Sequence, residues 1–335
     1  MKEVVIVGAG MAGLACGVRL RQAGISATIL EKSAGVGGRV ATRRAQGTWL
    51  DHGLPCVTRG TDPRYNAWVE SLISRGILQR WTDRRFLLSV HGLANQQEDS
   101  PFFASPQGIT AIAKDLAQDQ KIHLNTKVKE IKVNNDRWQL FTDKGEFWAD
   151  VLVMTPPAPQ SHDLLAYALS FHPEVLSSLA TAVYQSTITL LCGYHSQRLL
   201  PSDWEILECR DHQVIQYLYY NSTKQATPPY PSLVIHSTPD FALAHQGAAD
   251  LGKVGELMLE ELGHLLTSQM AKPDWWQVHR WRYSRVKQAL EVPSLASYRP
   301  LPLFLAGDWL AGQGIESAFL SGIHAAEEII SARIL

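Results

Sequence analysis

The chain has 335 residues, which is longer than a single hydrophobic core usually grows, so we expect two domains. Apolar residues make up 45% and charged residues 19%, as is ordinary for a soluble globular enzyme. The net charge of -1, without long runs of like charge, argues against a nucleic acid or an anionic membrane as partner. We therefore expect a small-molecule partner, and the sequence leaves the oligomeric state open.

Cysteine spacing and hydropathy indicate the cellular setting. Cys16, Cys56, Cys192 and Cys209 show neither the spacing of a metal site nor that of a disulfide framework. We therefore expect no bound metal and a reducing, cytoplasmic environment. The N-terminal apolar run opens directly into glycines, which predicts a strand rather than a signal peptide. No apolar stretch reaches the length of a membrane-spanning helix.

The first thirty residues predict a strand, a glycine turn, a helix that Gly24 caps at its C-terminus, and a second strand that ends in an acid. In the segment "VGAGMAG", Gly8 permits the tight turn, Gly10 lets a pyrophosphate approach the backbone, and Gly13 lets the helix pack closely on the strand. Glu31 is placed to accept hydrogen bonds from ribose hydroxyls. This pattern predicts a dinucleotide site but does not distinguish NAD from FAD. A glycine turn that binds nothing remains the alternative.

A second glycine pair follows Glu31 in the segment "GVGGRVATRR". Close backbone approach at Gly38 and the guanidinium of Arg39 suit the second face of a pyrophosphate, which a plain NAD domain does not need. The segment resembles the second glycine motif of the flavin-containing amine oxidase superfamily, where it embraces FAD from the opposite side. A surface loop with a solvated basic cluster is the alternative interpretation.

The C-terminal segment "LPLFLAGDWLAGQGIESAFLSGIHAAEEII" predicts a strand over 303–306, then Gly307 and Asp308, then a helix that begins near Gly314 or Ile315. It resembles the C-terminal FAD motif of the same superfamily. There, the aspartate contacts the sugar-phosphate part of FAD and the helix N-terminus points at the flavin N1 and O2. Free N–H groups and the helix dipole favour a negatively charged reduced ring by about 0.3–1 kcal/mol. Asp308 could otherwise be an ordinary turn residue.

Four further segments extend the resemblance over nearly the whole chain. They are "FFASPQGITAIAKDLA" (102–117), "WADVLVMTPPAPQ" (148–160), "SLVIHST" (232–238) and "HRWRYSRV" (279–286), whose order and relative positions are similar to those of renalases and their bacterial relatives. This resemblance implies an α/β chain with a Rossmann-type FAD-binding domain, like that of flavin amine oxidases and p-hydroxybenzoate hydroxylase. It also implies a second, mixed-sheet α+β substrate domain. Between 123 and 155, alternating residues and the turns "NND" and "DKG" predict short antiparallel strands, inserted in the FAD-binding domain before its final parallel strand.

The renalase resemblance implies the domain limits and the cofactor contacts. We expect the FAD-binding domain to comprise 1–57, 104–160 and 284–335, and the substrate domain 58–103 and 161–283. The cofactor is FAD, bound noncovalently. The implied FAD contacts come from Gly8, Gly10, Met11, Ala12, Gly13, Glu31, Lys32, Gly38, Arg39, Gly53, Leu54, Val128, Thr155, Gly307, Asp308, Gly314, Ile315, Glu316 and Ala318.

The activity implied by the resemblance is oxidation of 2- or 6-dihydroNAD(P) isomers to NAD(P)+, with hydride transfer to flavin and reduction of O2 to H2O2. The dihydronicotinamide nucleotide and O2 are therefore the expected partners. The candidate catalytic residues are His236, Trp281 and Arg282, with Trp281 and Arg282 on opposite faces of one strand. A histidine satisfied in the core and a tryptophan that only packs are the alternatives.

One departure from the family pattern affects the substrate assignment. The relatives commonly read "DLGAQ" where this chain reads "DHGLP" at 51–55, which changes the size and the hydrogen-bonding groups beside the expected flavin ring. His52 receives no role. An FAD-dependent amine oxidase, a desaturase or isomerase, and a noncatalytic flavin-binding protein therefore remain alternatives to the renalase-type oxidase.

Overall fold

The computed structural model describes residues 2–170, 172–195, 204–332 and 334. The strands are β1 (Val4–Val7), β2 (Ala27–Leu30), β3 (Thr42–Ala45), β4 (Thr48–Asp51), β5 (Gln79–Ser89), β6 (Gly92–Ala104), β7 (Lys121–His123), β8 (Val128–Asn134), β9 (Arg137–Thr142), β10 (Gly145–Ala149), β11 (Val151–Met154), β12 (Val183–Gly193), β13 (Ile206–Cys209), β14 (Ile215–Tyr220), β15 (Ser232–Ser237), β16 (Trp275–Gln288), β17 (Leu295–Ser297) and β18 (Leu303–Leu305). The helices are α1 (Met11–Gln22), α2 (Pro63–Ser74), α3 (Thr110–Leu116), α4 (Ala158–Leu165), α5 (Pro173–Thr181), α6 (Pro239–Ala244), α7 (Leu251–Leu265), α8 (Asp308–Ala311) and α9 (Gly314–Ser331), and a 3₁₀ turn covers Asn221–Lys224.

The first unit is built on a six-stranded sheet with the order β17-β18-β11-β1-β2-β7. β1 pairs in parallel with β2 on one side and with β11 on the other, and all four of its residues are buried, as its unbroken apolar sequence predicts. Helices α1, α3 and α9 cover one face of this sheet. The other face carries α4, α5 and an antiparallel sheet of β8, β9 and β10, which confirms the predicted inserted strands.

Helix α1 ends as the sequence predicts. Ala23 follows its last residue, and Gly24 adopts a φ of +78° while its N–H bonds the carbonyl oxygen of Arg21 at 2.9 Å. Only glycine adopts that left-handed conformation at little cost, so Gly24 stops the helix and turns the chain back toward β2.

The second unit is a seven-stranded sheet with the order β16-β12-β15-β14-β13-β5-β6. One face is apolar and lies under α6 and α7, with Leu190 and Ile235 among its buried residues. The opposite face packs against the first unit, where Leu191 and Val234 meet Leu50 of β4. The side chains of this second face therefore face the glycine motifs.

The domain limits differ from the sequence expectation in several places, since α4 and α5 pack on the first unit's sheet although 161–181 was expected in the substrate domain. Tyr65, Val69 and Leu72 of α2 are buried in the same core as α1 and α9, although the expected substrate domain began at residue 58. The helix was misplaced because its amphipathic pattern does not indicate which sheet it covers. β16 also runs across the expected limit at 283/284 without interruption. Among the described residues, no helix is both long and apolar enough to cross a membrane.

Candidate functional site

The first glycine turn leaves open space beside Gly10. A Cβ at Gly13 would lie 2.0 Å from the carbonyl oxygen of Gly8, so this glycine is required by close packing of helix on strand. A Cβ at Gly10, in contrast, would meet nothing within 4 Å. Gly10 is the N-cap of α1, and Met11 and Ala12 begin that helix, so free N–H groups surround this space. The geometry suits an approaching pyrophosphate.

The carboxylate of Glu31 is held beside this turn. Its two oxygens accept the N–H groups of Ala9 and Ser33, each at 2.8 Å, and the residue is 6% exposed. Each oxygen keeps a further lone pair for a ribose hydroxyl. The neighbouring Lys32 is exposed and donates to the side chain of Gln160 at 3.3 Å.

The second glycine pair lies directly against the first glycine turn. The Gly37 N–H donates to the carbonyl oxygen of Ala9 at 2.8 Å, and Gly10 and Gly37 form an isolated parallel bridge. A Cβ at Gly38 would lie 3.5 Å from the Cα of Gly10. Gly37 and Gly38 both have positive φ, at +113° and +57°. The two motifs therefore form one backbone surface, which explains why the chain uses a second glycine pair here.

Arg39 binds Asp308 rather than lying free. Its two terminal nitrogens bond the two carboxylate oxygens at 2.6 and 2.7 Å, and one of them also bonds the carbonyl oxygen of Ser284 at 3.2 Å. Burial acts to lower the pKa of Arg39, but the charge and hydrogen bonds of Asp308 outweigh it and raise the pKa above its ordinary value. Both residues had been expected on the cofactor, and the structure shows them as a bidentate pair.

Helix α9 begins at Gly314, as the sequence predicts. Gly314 has a φ of +83° and open space where a Cβ would lie, and Ile315 and Ala318 are in the first turns of the helix. The side chain of Glu316 points elsewhere, because its carboxylate accepts the N–H groups of Thr61 and Asp62 at 2.7 Å each. Only the backbone of Glu316 is therefore available to a ligand at this helix end.

The remaining expected cofactor residues hold the backbone around the turns. The Thr155 hydroxyl donates to the carbonyl oxygen of Val7 at 2.8 Å and lies beneath Gly8. Gly307 donates its N–H to the Ser321 hydroxyl at 2.9 Å. Val128 is buried at the start of β8.

The DHGLP turn at 51–55 lies between Arg39 and β16. A Cβ at Gly53 would lie 2.0 Å from the carbonyl oxygen of Arg39 and 3.3 Å from the Trp281 ring, so only glycine fits there. The N–H of Leu54 donates to the carbonyl oxygen of Arg39 at 2.9 Å. The Trp281 indole N–H donates to the carbonyl oxygen of His52 at 3.0 Å.

Three histidines and Trp281 lie together where the turn meets the seven-stranded sheet. Cross-strand pairing places His279 and His236 on either side of Thr189, and paired residues of antiparallel strands share a face. The His52 ring lies 5.1 Å from the His279 ring and 5.3 Å from the Trp281 ring. Two of the sequence-predicted catalytic residues, His236 and Trp281, are therefore brought into one cluster.

Burial lowers the pKa of each of these histidines, which favours the neutral form. Burial, then the charges of Arg285 and His52, lowers the pKa of His236 to about 3. Burial, then the charges of His279 and Arg43, lowers the pKa of His52 to about 3 as well. Each keeps one ring nitrogen that has no partner among the described residues, Nε2 on His236 and Nδ1 on His52. The cluster therefore offers hydrogen-bonding groups without charge.

Arg282 lies away from this cluster. It is exposed and follows Trp281 directly on β16, so its side chain is on the other face of the strand. The arginine that lies over the cluster face is Arg285, whose guanidinium stacks 5.4 Å from the Tyr217 ring centroid. Sequence reasoning missed it because alternation places several side chains of β16 on the Trp281 face, Arg285 among them, and does not indicate which of them reaches the cluster.

The model of the flavin containing amine oxidoreductase family matches residues 87–330. The chain belongs to this family. A model of NAD(P)-binding Rossmann-like domains also matches residues 6–72, which cover the first glycine turn and Glu31. The flavoprotein is therefore an FAD-dependent oxidoreductase. The residues described above fit FAD, because the open space beside Gly10 and Gly314 lies at two helix N-termini that a dinucleotide with a flavin ring would need.

Solved structures show that the whole chain shares the fold of flavin oxidases. A putative protoporphyrinogen oxidase from Exiguobacterium sp. 255-15 has a TM-score of 0.77 at 17% identity, with 99% of each chain covered. Cyclohexylamine oxidase from Brevibacterium oxydans IH-35A has a TM-score of 0.71 at 13% identity, with 99% of each chain covered. A putrescine oxidase has a TM-score of 0.70 at 15% identity, covering 98% of the flavoprotein and 99% of that chain. At these identities the likeness concerns the fold.

Proposed function

We propose that the flavoprotein is a renalase-type oxidase, which converts 2- or 6-dihydro isomers of NAD(P)H to NAD(P)+. The bound FAD would supply the hydride acceptor, and O2 would return as H2O2. The proposed partners are the dihydronicotinamide nucleotide and O2, and the proposed location is the cytoplasm.

This proposal rests on the positive charge of two arginines beside the histidine cluster. Arg43 and Arg285 are exposed beside the histidine cluster, and neither has an acidic partner among the described residues. Glu208, a carboxylate on the same face, pairs with Tyr217 across the strands and is bound by Arg85 at 2.7 Å. We call Arg43 and Arg285 the cationic rim. Their positive charge favours binding of an anionic nucleotide and repels a protonated amine.

The uncharged histidines agree with the chemistry of this reaction. Loss of hydride from a dihydropyridine gives an aromatic pyridinium directly, so no general base is needed. A histidine whose pKa is about 3, such as His236, is a weak base at neutral pH. Its role would be to orient the substrate through a hydrogen bond, and geometry would dominate catalysis.

Anaerobic mixing tests the proposal directly. The oxidised flavin absorbance is followed after addition of 2-dihydroNADP, 6-dihydroNADP, putrescine or cyclohexylamine. We expect fast bleaching by one or both dihydropyridines and none by the amines. Fast reduction by an amine alone would establish the amine oxidase alternative, and no reduction by any reductant of these classes would favour a noncatalytic flavoprotein.

A further inference from the structure

Lys224 is a fully buried cation beneath the DHGLP turn. It ends the 3₁₀ turn of the substrate unit, and its ammonium donates to the Asp51 carboxylate at 3.1 Å and to the carbonyl oxygen of Pro55 at 2.5 Å. Both charged side chains have 0% exposure. The ammonium also lies 4.8 Å from the Trp81 ring centroid. One side chain therefore binds both ends of the five-residue turn.

The Asp51 carboxylate joins this cation to the FAD-binding unit. Its second oxygen accepts the Thr42 hydroxyl and the N–H of Ile109, both at 2.8 Å. The backbone N–H of Asp51 donates to the Asn221 side chain at 3.1 Å. Segments from β3, from the start of α3 and from the substrate unit therefore meet at one carboxylate.

Stability alone does not explain such a pair. A buried ion pair is often no more stabilising than apolar side chains of the same volume, because both charges must be desolvated. What the pair provides here is fixed geometry, since the turn is held by Lys224 on one side and by the bond from Trp281 to the carbonyl oxygen of His52 on the other. The turn backbone, including Gly53, lies where the family resemblance places the flavin ring.

We propose that Lys224 is a positioning residue, which fixes the 51–55 turn against the flavin from the substrate unit. Without the ammonium, the carbonyl of Pro55 and the carboxylate of Asp51 lose a shared donor, and the turn relaxes away from its present position. The surroundings of the flavin then change although the contacts at Gly10 and Glu31 are untouched. The inference depends on FAD binding and not on the identity of the substrate.

Three variants of the holoprotein test this role. Lys224→Met removes the charge at similar volume. The double variant Asp51→Asn/Lys224→Met also removes the buried negative charge, and its amide oxygen can still accept from Thr42 and Ile109. Arg280→Met is the matched control, because Arg280 is a partly buried arginine of the same sheet that bonds the carbonyl oxygens of His245 and Ala248 on the opposite face, away from the turn.

The measurements are the flavin absorption spectrum, the midpoint potential, the FAD dissociation constant, and the rate of flavin reduction by dithionite or by a substrate. We expect both Lys224 variants to keep FAD, with the dissociation constant changed by less than about threefold. Their spectra and potentials should shift, and reduction by substrate should slow by roughly tenfold or more, the scale of one or two lost hydrogen bonds. Arg280→Met should match the unmodified protein in all four.

Two outcomes overturn the proposal. If the double variant folds, binds FAD and keeps the original spectrum, potential and reduction rate, Lys224 only fills space. If both Lys224 variants fail to fold while Arg280→Met folds, the pair is needed for stability and not for positioning. A protein without activity on dihydropyridines but with shifted flavin spectra in the variants would contradict the proposed function and leave the positioning role supported.

Discussion

The guanidinium of Arg39 and the carboxylate of Asp308 form a bidentate pair, although they are 269 positions apart in the chain. The pair joins the second glycine motif to the C-terminal motif, and it also binds the backbone of β16 through Ser284. Each residue was expected to contact the cofactor by itself. Their mutual bond means that neither can be removed without disturbing the other.

Replacement of Arg39 with Met should therefore destabilise the protein. It leaves Asp308, whose side chain is 2% exposed, as an unpaired buried charge, which costs about 3 kcal/mol. Urea unfolding of the FAD-free protein measures this loss. Arg75→Met is the control, since it breaks an exposed pair with Asp115 and should cost less than about 1 kcal/mol. Equal losses in the two variants would contradict the expectation.

The two glycines of the first turn should respond differently to alanine. Gly10→Ala should fold normally, because its Cβ meets open space, but should weaken FAD binding by about tenfold or more by obstructing the pyrophosphate. Gly13→Ala should lower the thermal midpoint, because its Cβ would lie 2.0 Å from a backbone oxygen. Fluorescence titration with FAD and thermal unfolding separate these effects, and Gly247→Ala, a remote glycine with open space, is the control. Unchanged FAD affinity in Gly10→Ala would contradict the assignment of the pyrophosphate site to this turn.

Replacement of His236 with Ala should slow flavin reduction or weaken substrate binding by roughly 10- to 100-fold, as expected for one or two lost hydrogen bonds, while FAD stays bound. Stopped-flow reduction measures both quantities. A normal rate and affinity would mean that His236 is an ordinary core histidine against Tyr219. Complete loss of reduction would mean obligatory proton transfer.

Acid should destabilise the folded protein through the buried histidines. Their folded pKa values of about 3 lie below the unfolded value near 6.5, so the unfolded state binds more protons below pH 6.5. The unfolding free energy should therefore fall by up to about 1.4 kcal/mol per pH unit for each histidine between roughly pH 6.5 and 3. Urea unfolding between pH 7 and 5 measures this slope. His52→Gln should make it shallower, and an unchanged slope would show that His52 is not buried neutral.

Recognition of the substrate phosphate by the cationic rim can be tested with two substrates, one with the phosphate and one without it. Arg285→Ala should raise the KM for a phosphorylated dihydronicotinamide mononucleotide by about tenfold, since a charge-assisted bond is worth about 1.5–3 kcal/mol. The KM for the uncharged riboside should change little. Arg282→Ala, an equally exposed arginine of the same strand, should leave both constants unchanged. Equal effects on both substrates would exclude recognition of the phosphate by Arg285.

The sequence predicted those parts of the site whose geometry is determined by a single short segment of the chain. The turn at Gly8, the cap at Gly24 and the start of α9 at Gly314 follow from backbone conformations that glycine alone tolerates, and the structure has all three. The inserted antiparallel strands followed from alternation and turn residues in the same way. These features depend on neighbours along the chain.

Features that depend on tertiary contacts were not predictable in this way. The partner of Arg39 lies in the C-terminal motif, and the N–H groups that bind the Glu316 carboxylate lie in the loop before α2. A local sequence pattern shows neither contact. Arg285 lies on the same face as Trp281, but its position opposite Gln185 depends on a register shift between β16 and β12. Sequence spacing carries no information about such register shifts.

The uninterrupted course of β16 limits how the two units can move. Its 14 residues form an edge of the seven-stranded sheet. The carbonyl oxygen of Ser284, within the strand, accepts a hydrogen bond from Arg39 of the first unit. Just beyond the strand, the N–H of Leu290 donates to the carbonyl oxygen of Trp309 in the first unit. Residues on both sides of the bulge in β16 pair with β12, so a hinge at this crossing would have to break sheet hydrogen bonds. We therefore expect ligands to reach the interior by rearrangement of side chains and surface turns, and the distance between the two units to stay constant through turnover.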